Sequence, residues 1–259
     1  MERIFKDQMN RTIRLEEIPC RIVSLVPSQT ELLYELGLGD KVVGITKFCI
    51  YPDEWFQTKK RVGGTKQLSI EAIKKLNPDL IIGNKEENTK EAIEELEKIA
   101  PVWLSDIYTI QDALNMIEQI GQLTDTFLKS TEIIKEIRSA FASLLKSNNT
   151  KKVLYFIWND PFYVVGKNTF ISDMIKACGW INVCKEERYP EWVFTELQPD
   201  YVFLSSEPYP FNSSHISEME KRFPKSKVIL VDGELFSWYG SRMKFSPAYF
   251  QQLIHQLTN

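Results

Sequence analysis

Residue types that commonly carry out chemistry are sparse in this sequence. Its two histidines, His215 and His255, fall in a polar stretch and near the C-terminus, where surface histidines are ordinary. A catalytic nucleophile needs Ser, Cys or Thr beside a base and an orienting carboxylate. No G-x-S-x-G elbow, no phosphate-cradling G-x-x-x-x-G-K-[ST] and no G-x-G-x-x-G after a strand occurs. Gly63-Gly64-Thr65-Lys66 shares glycines and a lysine with a phosphate loop but lacks the spaced first glycine and the preceding strand. Cys20, Cys49, Cys178 and Cys184 match no common zinc spacing, and a Cys178–Cys184 disulfide stays open for an oxidising compartment. The chain therefore reads as a binding protein, with no catalytic residues, no metal site and no cofactor acting as catalyst.

Aromatic side chains, by contrast, are concentrated in four short segments: Phe48-Cys49-Ile50-Tyr51-Pro52, Trp158-Asn159-Asp160-Pro161-Phe162-Tyr163, Tyr189-Pro190-Glu191-Trp192 and Phe236-Ser237-Trp238-Tyr239-Gly240-Ser241-Arg242. Rigid aromatics give large flat contact area at low entropic cost, which suits a planar or macrocyclic guest. Phe48, Tyr51, Trp158, Phe162, Tyr189, Trp192, Trp238 and Tyr239 are the expected contacts, each ring having the alternative of plugging the rim of its domain. Arg242 either pairs with a ligand carboxylate or phosphate or bridges a neighbouring acid. An anionic ferric chelate would draw on Lys47, Lys66, Lys167 and Arg242, and haem would take an axial donor from Tyr51, Tyr163 or Tyr239.

The elements that must carry these segments alternate. Strand patterns at 21–25, 41–46, 79–83 and 101–104 are separated by helical ones, and the same alternation resumes after Asn148-Asn149-Thr150 with strands at 152–157, 201–204 and 228–231. This predicts parallel sheets covered on both faces by helices, and such sheets bind ligands at the carboxyl ends of their strands. Between the halves, 109–146 has nearly continuous helical periodicity interrupted only at Gly121 to Asp125, giving one long helix or two stacked end to end. The expected division is an N-terminal α/β lobe over 1–108, an interdomain helix over 109–149 and a C-terminal α/β lobe over 150–259. Leu76-Asn77-Pro78-Asp79-Leu80-Ile81-Ile82 is answered by Leu197-Gln198-Pro199-Asp200-Tyr201-Val202-Phe203; in both, proline is expected to end a helix and aspartate to lead into a buried strand.

Composition supports this. At 259 residues and 43% hydrophobic content, two cores are within reach. A formal net charge of -3 without a polybasic run argues against nucleic acid as partner, and no apolar run is long enough to span a membrane. The charged N-terminus MERIFKDQMNRTIRL has no secretory core, which favours an intracellular protein unless a leader has been removed.

Arg21-Ile22-Val23-Ser24-Leu25-Val26-Pro27-Ser28-Gln29-Thr30-Glu31-Leu32, followed by Gly37-Leu38-Gly39-Asp40-Lys41-Val42-Val43-Gly44, resembles the opening of class III substrate-binding proteins. These are the helical-backbone receptors of ABC importers for cobalamin, ferric siderophores and haem. The likeness continues through Tyr51-Pro52, Val62-Gly63-Gly64, Ser69-Ile70-Glu71, Asn77-Pro78-Asp79-Leu80-Ile81, Gly166-Lys167 and Cys178-Gly179-Trp180-Ile181-Asn182-Val183. It implies two α/β lobes, a rigid interdomain helix and a chelate held in the interlobe cleft without chemistry. The cobalamin-binding branch is the most similar, its aromatic pocket positions falling on Phe48, Phe162 and Tyr189 or Trp192. Where that branch has a tryptophan, this chain has Thr65 or Lys66. The resemblance also implies docking on transporter membrane subunits through one acid per lobe, at Glu71 and at Glu196 or Glu191. It places the protein in the periplasm or cell envelope, whereas the N-terminus reads as cytoplasmic.

Overall fold

Short β-branched runs alternate with capped helices along nearly the whole chain, and the structure, a computed structural model, describes residues 2–147, 149–194 and 196–258. The chain packs as two units whose boundaries are not sequential. One holds the chain up to Asp106 together with Gln111–Ile137 and Tyr239–Arg242; the other holds Ile107–Ile110, Arg138–Trp238 and the chain from Met243 onward. A division at 108 and 149 does not foresee the return of Tyr239–Arg242 to the first unit.

The first unit begins with an antiparallel hairpin, β1 (Arg3–Lys6) and β2 (Thr12–Leu15). Its signal is the alternation of exposed Thr12 and Arg14 with buried Ile13 and Leu15, easily missed in a charged N-terminus. The buried Asp7 carboxylate accepts the N–H groups of Met9 (3.0 Å), Arg11 (2.9 Å) and Leu104 (3.2 Å) and pairs with the Arg11 guanidinium at 2.6 Å. It thereby fastens the hairpin turn to the main sheet. That sheet contains β3 (Ile22–Ser24), β4 (Val42–Ile45), β5 (Lys60–Arg61), β6 (Leu80–Asn84) and β7 (Val102–Ser105), all parallel, in the order β5-β4-β3-β6-β7. Every residue of β3, β6 and β7 is buried, the mark of a sheet covered on both faces. The connecting helices are α1 (Pro27–Glu35), α2 (Asp53–Thr58), α3 (Ile70–Lys75) and α4 (Lys90–Leu96); Ser69 and Thr89 cap the last two. The short α2 and β5 lie in a stretch to which the sequence pattern assigns no element.

The helical segment is two helices, α5 (Ile110–Leu123) and α6 (Phe127–Ser143). Asp125 has φ +60 at the joint, and the Thr126 N–H donates to the Gly121 carbonyl at 2.7 Å. A methyl group on Gly121 would collide with the Ser130 side chain, so glycine is what lets the start of α6 approach the end of α5.

The second unit contains β8 (Lys152–Trp158), β9 (Tyr163–Val164), α7 (Phe170–Ala177), β10 (Ile181–Asn182), β11 (Tyr201–Ser205), α8 (Ser213–Arg222), β12 (Lys227–Val231), α9 (Gly233–Ser237), a 3-10 turn at Ser241–Lys244 that starts on the first-unit return, and α10 (Ser246–Thr258). Its parallel order is β10-β8-β11-β12, with β9 antiparallel on β8. The segment read as an aromatic loop at 236–242 is thus partly helical. The chain's four cysteines are free, so the Cys178–Cys184 bridge is not formed.

The internal repeat has a structural meaning beyond the one its sequence suggests. Asp79 accepts the N–H groups of Cys20 (2.8 Å) and Arg21 (2.9 Å), just ahead of β3. Asp200 accepts the N–H of Lys152 at 2.7 Å, at the start of β8. Each aspartate leads its own strand and caps the strand beside it. Only Pro78 follows a helix; the chain before Pro199 is irregular, so the expected helix end there is not found.

Replacing Gly121 by alanine is expected to lower stability by about 1–3 kcal/mol through overpacking, read from urea unfolding. The Lys152 N–H, with help from Lys151, lowers the Asp200 carboxyl against the opposing effect of burial. A depressed folded value contributes stability above the unfolded pKa of about 3.9, and that contribution disappears as pH falls through the folded value. The stability difference between wild type and Asp200→Asn is therefore expected to shrink between about pH 5 and pH 2; a constant difference would mean that ionisation of Asp200 contributes nothing.

Candidate functional site

At the carboxyl edge of the first sheet, the loops after β4, β5 and β6 are laced together. The Lys47 N–H donates to the Gly63 carbonyl at 2.8 Å. Phe48 lies on Gly64, where an added Cβ would sit 3.1 Å from the ring. The Asn88 amide donates to the Thr65 carbonyl at 3.0 Å and accepts the Asn84 N–H at 2.9 Å. Lys66 donates to the Glu86 carbonyl, and burial raises the neighbouring Glu87 carboxyl against the pull of Lys66. Phe48, Thr65 and Lys66 therefore share one rim, with Phe48 51% exposed and Thr65 buried.

Tyr51 and Arg242 meet on the same unit. The Arg242 guanidinium lies 4.3 Å from the Tyr51 ring centroid and makes a bidentate pair with Glu31 of α1, Nε to Oε2 at 2.8 Å and Nη2 to Oε1 at 2.7 Å. Of the two readings open for Arg242, the structure supplies the neighbouring acid. Gly240, at φ +132, lets this returning segment pass the Ser28 carbonyl, 3.0 Å from where a Cβ would stand.

On the second unit the rings divide into two groups. Trp158, at the end of β8, is 41% exposed. Phe162 and Trp192 are half-buried against the core: Phe162 meets Phe156 and Phe194 edge-on at 5.6 and 5.3 Å, and the Trp192 backbone N–H donates to the Phe162 carbonyl at 2.7 Å. Arg222 covers the Phe194 ring at 4.4 Å. Tyr189 is half-buried. Trp238 is buried, its indole N–H donating to Glu207 at 2.9 Å. Tyr239, on the first unit, is buried as well. Sequence reasoning passed over Tyr209, which follows β11 and packs edge-on to Trp158 at 5.7 Å. An aromatic flanked by two prolines in a carboxyl-end loop was the available signal.

The cations considered for an anionic guest are engaged. Lys47 lies 5.0 Å from the Phe48 ring centroid, Lys167 pairs with Glu187 at 3.1 Å, and that contact, with help from Asn168, lowers the Glu187 carboxyl. Glu71 is exposed in the first turn of α3; Glu196 is exposed on irregular chain, and Glu191 bridges to Tyr163. Among the described residues no group of acids, cysteines and histidines is arranged to hold a metal ion, and no helix is long and apolar enough to cross a membrane.

The sequence matches the Periplasmic binding protein family over residues 22–227. This chain belongs to that family. A vitamin B12-binding protein of Vibrio parahaemolyticus is 32% identical over 195 residues, covering 71% of this periplasmic binding protein and 70% of the relative. An uncharacterised ABC transporter substrate-binding lipoprotein of Bacillus subtilis is 28% identical over 217 residues, covering 76% and 67%. Among solved structures, the periplasmic vitamin B12-binding protein of Vibrio cholerae superposes with a TM-score of 0.76 at 21% identity, covering 93% of this chain and 99% of that one. A periplasmic haem-binding protein of Roseiflexus sp. RS-1 gives 0.79 at 21%, covering 92% and 99%. Both likenesses establish the fold.

In this periplasmic binding protein, Arg242 and Glu31 are each only 16% exposed as side chains. Replacing either by alanine is expected to cost about 2–3 kcal/mol by stranding its partner, and the double variant less than the sum. Urea unfolding of the four proteins decides; strictly additive losses would show the pair to be uncoupled.

Proposed function

We propose that this chain is the substrate-binding receptor of an ABC-type importer, working in the periplasm or cell envelope, and that its ligand is a corrinoid such as cobalamin. The observation that carries the ligand class is the combination of exposed rings with engaged cations. Phe48, Tyr51 and Trp158 are 51, 38 and 41% exposed on segments at the carboxyl ends of strands, where parallel α/β sheets bind ligands. Arg242 and Lys167 are paired with acids, so two of the four candidate cations are already offset, which makes a multiply charged ferric catecholate the less favoured guest. A large macrocycle of low net charge fits such a surface better. The vitamin B12-binding relative at 32% identity supports the same choice.

In this reading Phe48, Tyr51 and Trp158 contact the guest directly, with Thr65, Lys66, Phe162, Tyr189 and Trp192 at its margin. Trp238 and Tyr239 are the buried members of the set, and Arg242 lies against Tyr51. Glu71 and Glu196 are the docking acids for the transporter's membrane subunits. A haem reading rests on Tyr51, an exposed phenol under a guanidinium and the most accessible of the three tyrosines considered as axial donors.

Titration with cyanocobalamin, haem and a ferric hydroxamate, followed by absorbance and tryptophan quenching, tests this. Saturable one-to-one binding of cyanocobalamin is expected, weakened about tenfold or more by Phe48→Ala or Trp158→Ala. Binding of haem alone, abolished by Tyr51→Phe, would move the assignment to the haem reading.

A further inference from the structure

Beside Trp158 the second unit contains a hydrogen-bonded chain whose directions can be worked out atom by atom. The Asn212 backbone N–H, a donor in any state, points at Nδ1 of His215 from 3.1 Å. Nδ1 must therefore be an acceptor, and the neutral ring carries its proton on Nε2. Nε2 lies 3.1 Å from the Tyr209 Oη, so His215 donates to the phenol. The Asn159 side-chain amide donates to the same oxygen from 3.2 Å. Both lone-pair directions of Tyr209 are thus filled by N–H groups, and its own proton must leave in a third direction. Among the described residues none accepts a hydrogen bond from that proton. The Tyr209 ring is held by Trp158 (5.7 Å), Phe211 (4.8 Å) and His215 (5.5 Å), and the Tyr209 N–H donates to the Ile157 carbonyl at 3.3 Å, one residue before Trp158.

We infer that Tyr209 is a specificity-determining ligand contact, donating its phenolic proton to an acceptor oxygen, such as a side-chain amide carbonyl, on the guest that lies against Trp158. His215 and Asn159 are positioning residues that orient that proton. The inference rests on the reading that Trp158 lines the ligand site. It goes beyond that reading by assigning a polar contact and its direction: a guest with a hydrogen-bond acceptor over Trp158 is selected, and one presenting only donors there is rejected.

The test is titration of the full-length protein with cyanocobalamin, haem and a ferric hydroxamate, using whichever binds, for wild type, Trp158→Ala, Tyr209→Phe, Asn159→Asp and Asn159→Ala, with circular dichroism melts as a control for folding. Tyr209→Phe is expected to raise Kd about five- to tenfold, the size of one neutral hydrogen bond. Asn159→Asp turns the donor into an acceptor that captures the Tyr209 proton, so its Kd should rise about as much as that of Tyr209→Phe and should not rise further in the double variant. Asn159→Ala should cost less than Asn159→Asp. If Trp158→Ala weakens binding and Tyr209→Phe does not, the inference fails alone. If Trp158→Ala leaves Kd unchanged, or none of the three probes binds, the reading beneath it fails as well.

Discussion

The structure depends first on parallel strands that are buried on both faces. Such strands can satisfy their backbone only through one another, so each must be followed by a helix that returns the chain to the same end of the sheet. In both units this leaves the apolar side chains of β3, β6, β7 and β11 with no role outside packing. Everything with chemical character is displaced to the loops at the strand ends. At one end stand Asp79 and Asp200, whose carboxylates take up backbone N–H groups of the neighbouring strand. At the other stand the exposed rings. The division of labour between a polar end that holds the strands in register and an aromatic end that stays available follows from the architecture.

How much of this was legible in the sequence varied with the range of the interaction. The β-branched runs that became β3, β6, β8, β11 and β12 announced themselves, because that signal is local. The hairpin β1–β2 was not seen, since its stability comes from Asp7 reaching Leu104 across 97 residues. The break between α5 and α6 was visible as Gly121 to Asp125, but the close approach of Ser130 to Gly121 across it was not. The candidate site was read as a composition of rings, and composition does not distinguish an exposed Trp158 from a Trp238 whose indole N–H is committed to Glu207. Tyr209 was missed for the converse reason: its place beside Trp158 joins residues 51 positions apart.

Charge pairing shapes the site as much as the rings do. Arg242, isolated in sequence from any obvious partner, is neutralised by Glu31, 211 residues away, and lends Tyr51 its cationic face. Where a sequence offers four cations beside aromatic loops, an anion-binding surface is the natural expectation. Here Glu31 and Glu187 offset two of those four charges, on Arg242 and Lys167.

The return of Tyr239–Arg242 to the first unit also sets an order of events during synthesis. Chains are made from the N-terminus, and domains ordinarily fold as they emerge. Here the first unit cannot close around Glu31 until residue 242 exists, by which time the whole second sheet has been translated. Through that interval the Glu31 carboxylate of the nascent first unit lacks its guanidinium, so the unit's final consolidation is coupled to completion of the polypeptide.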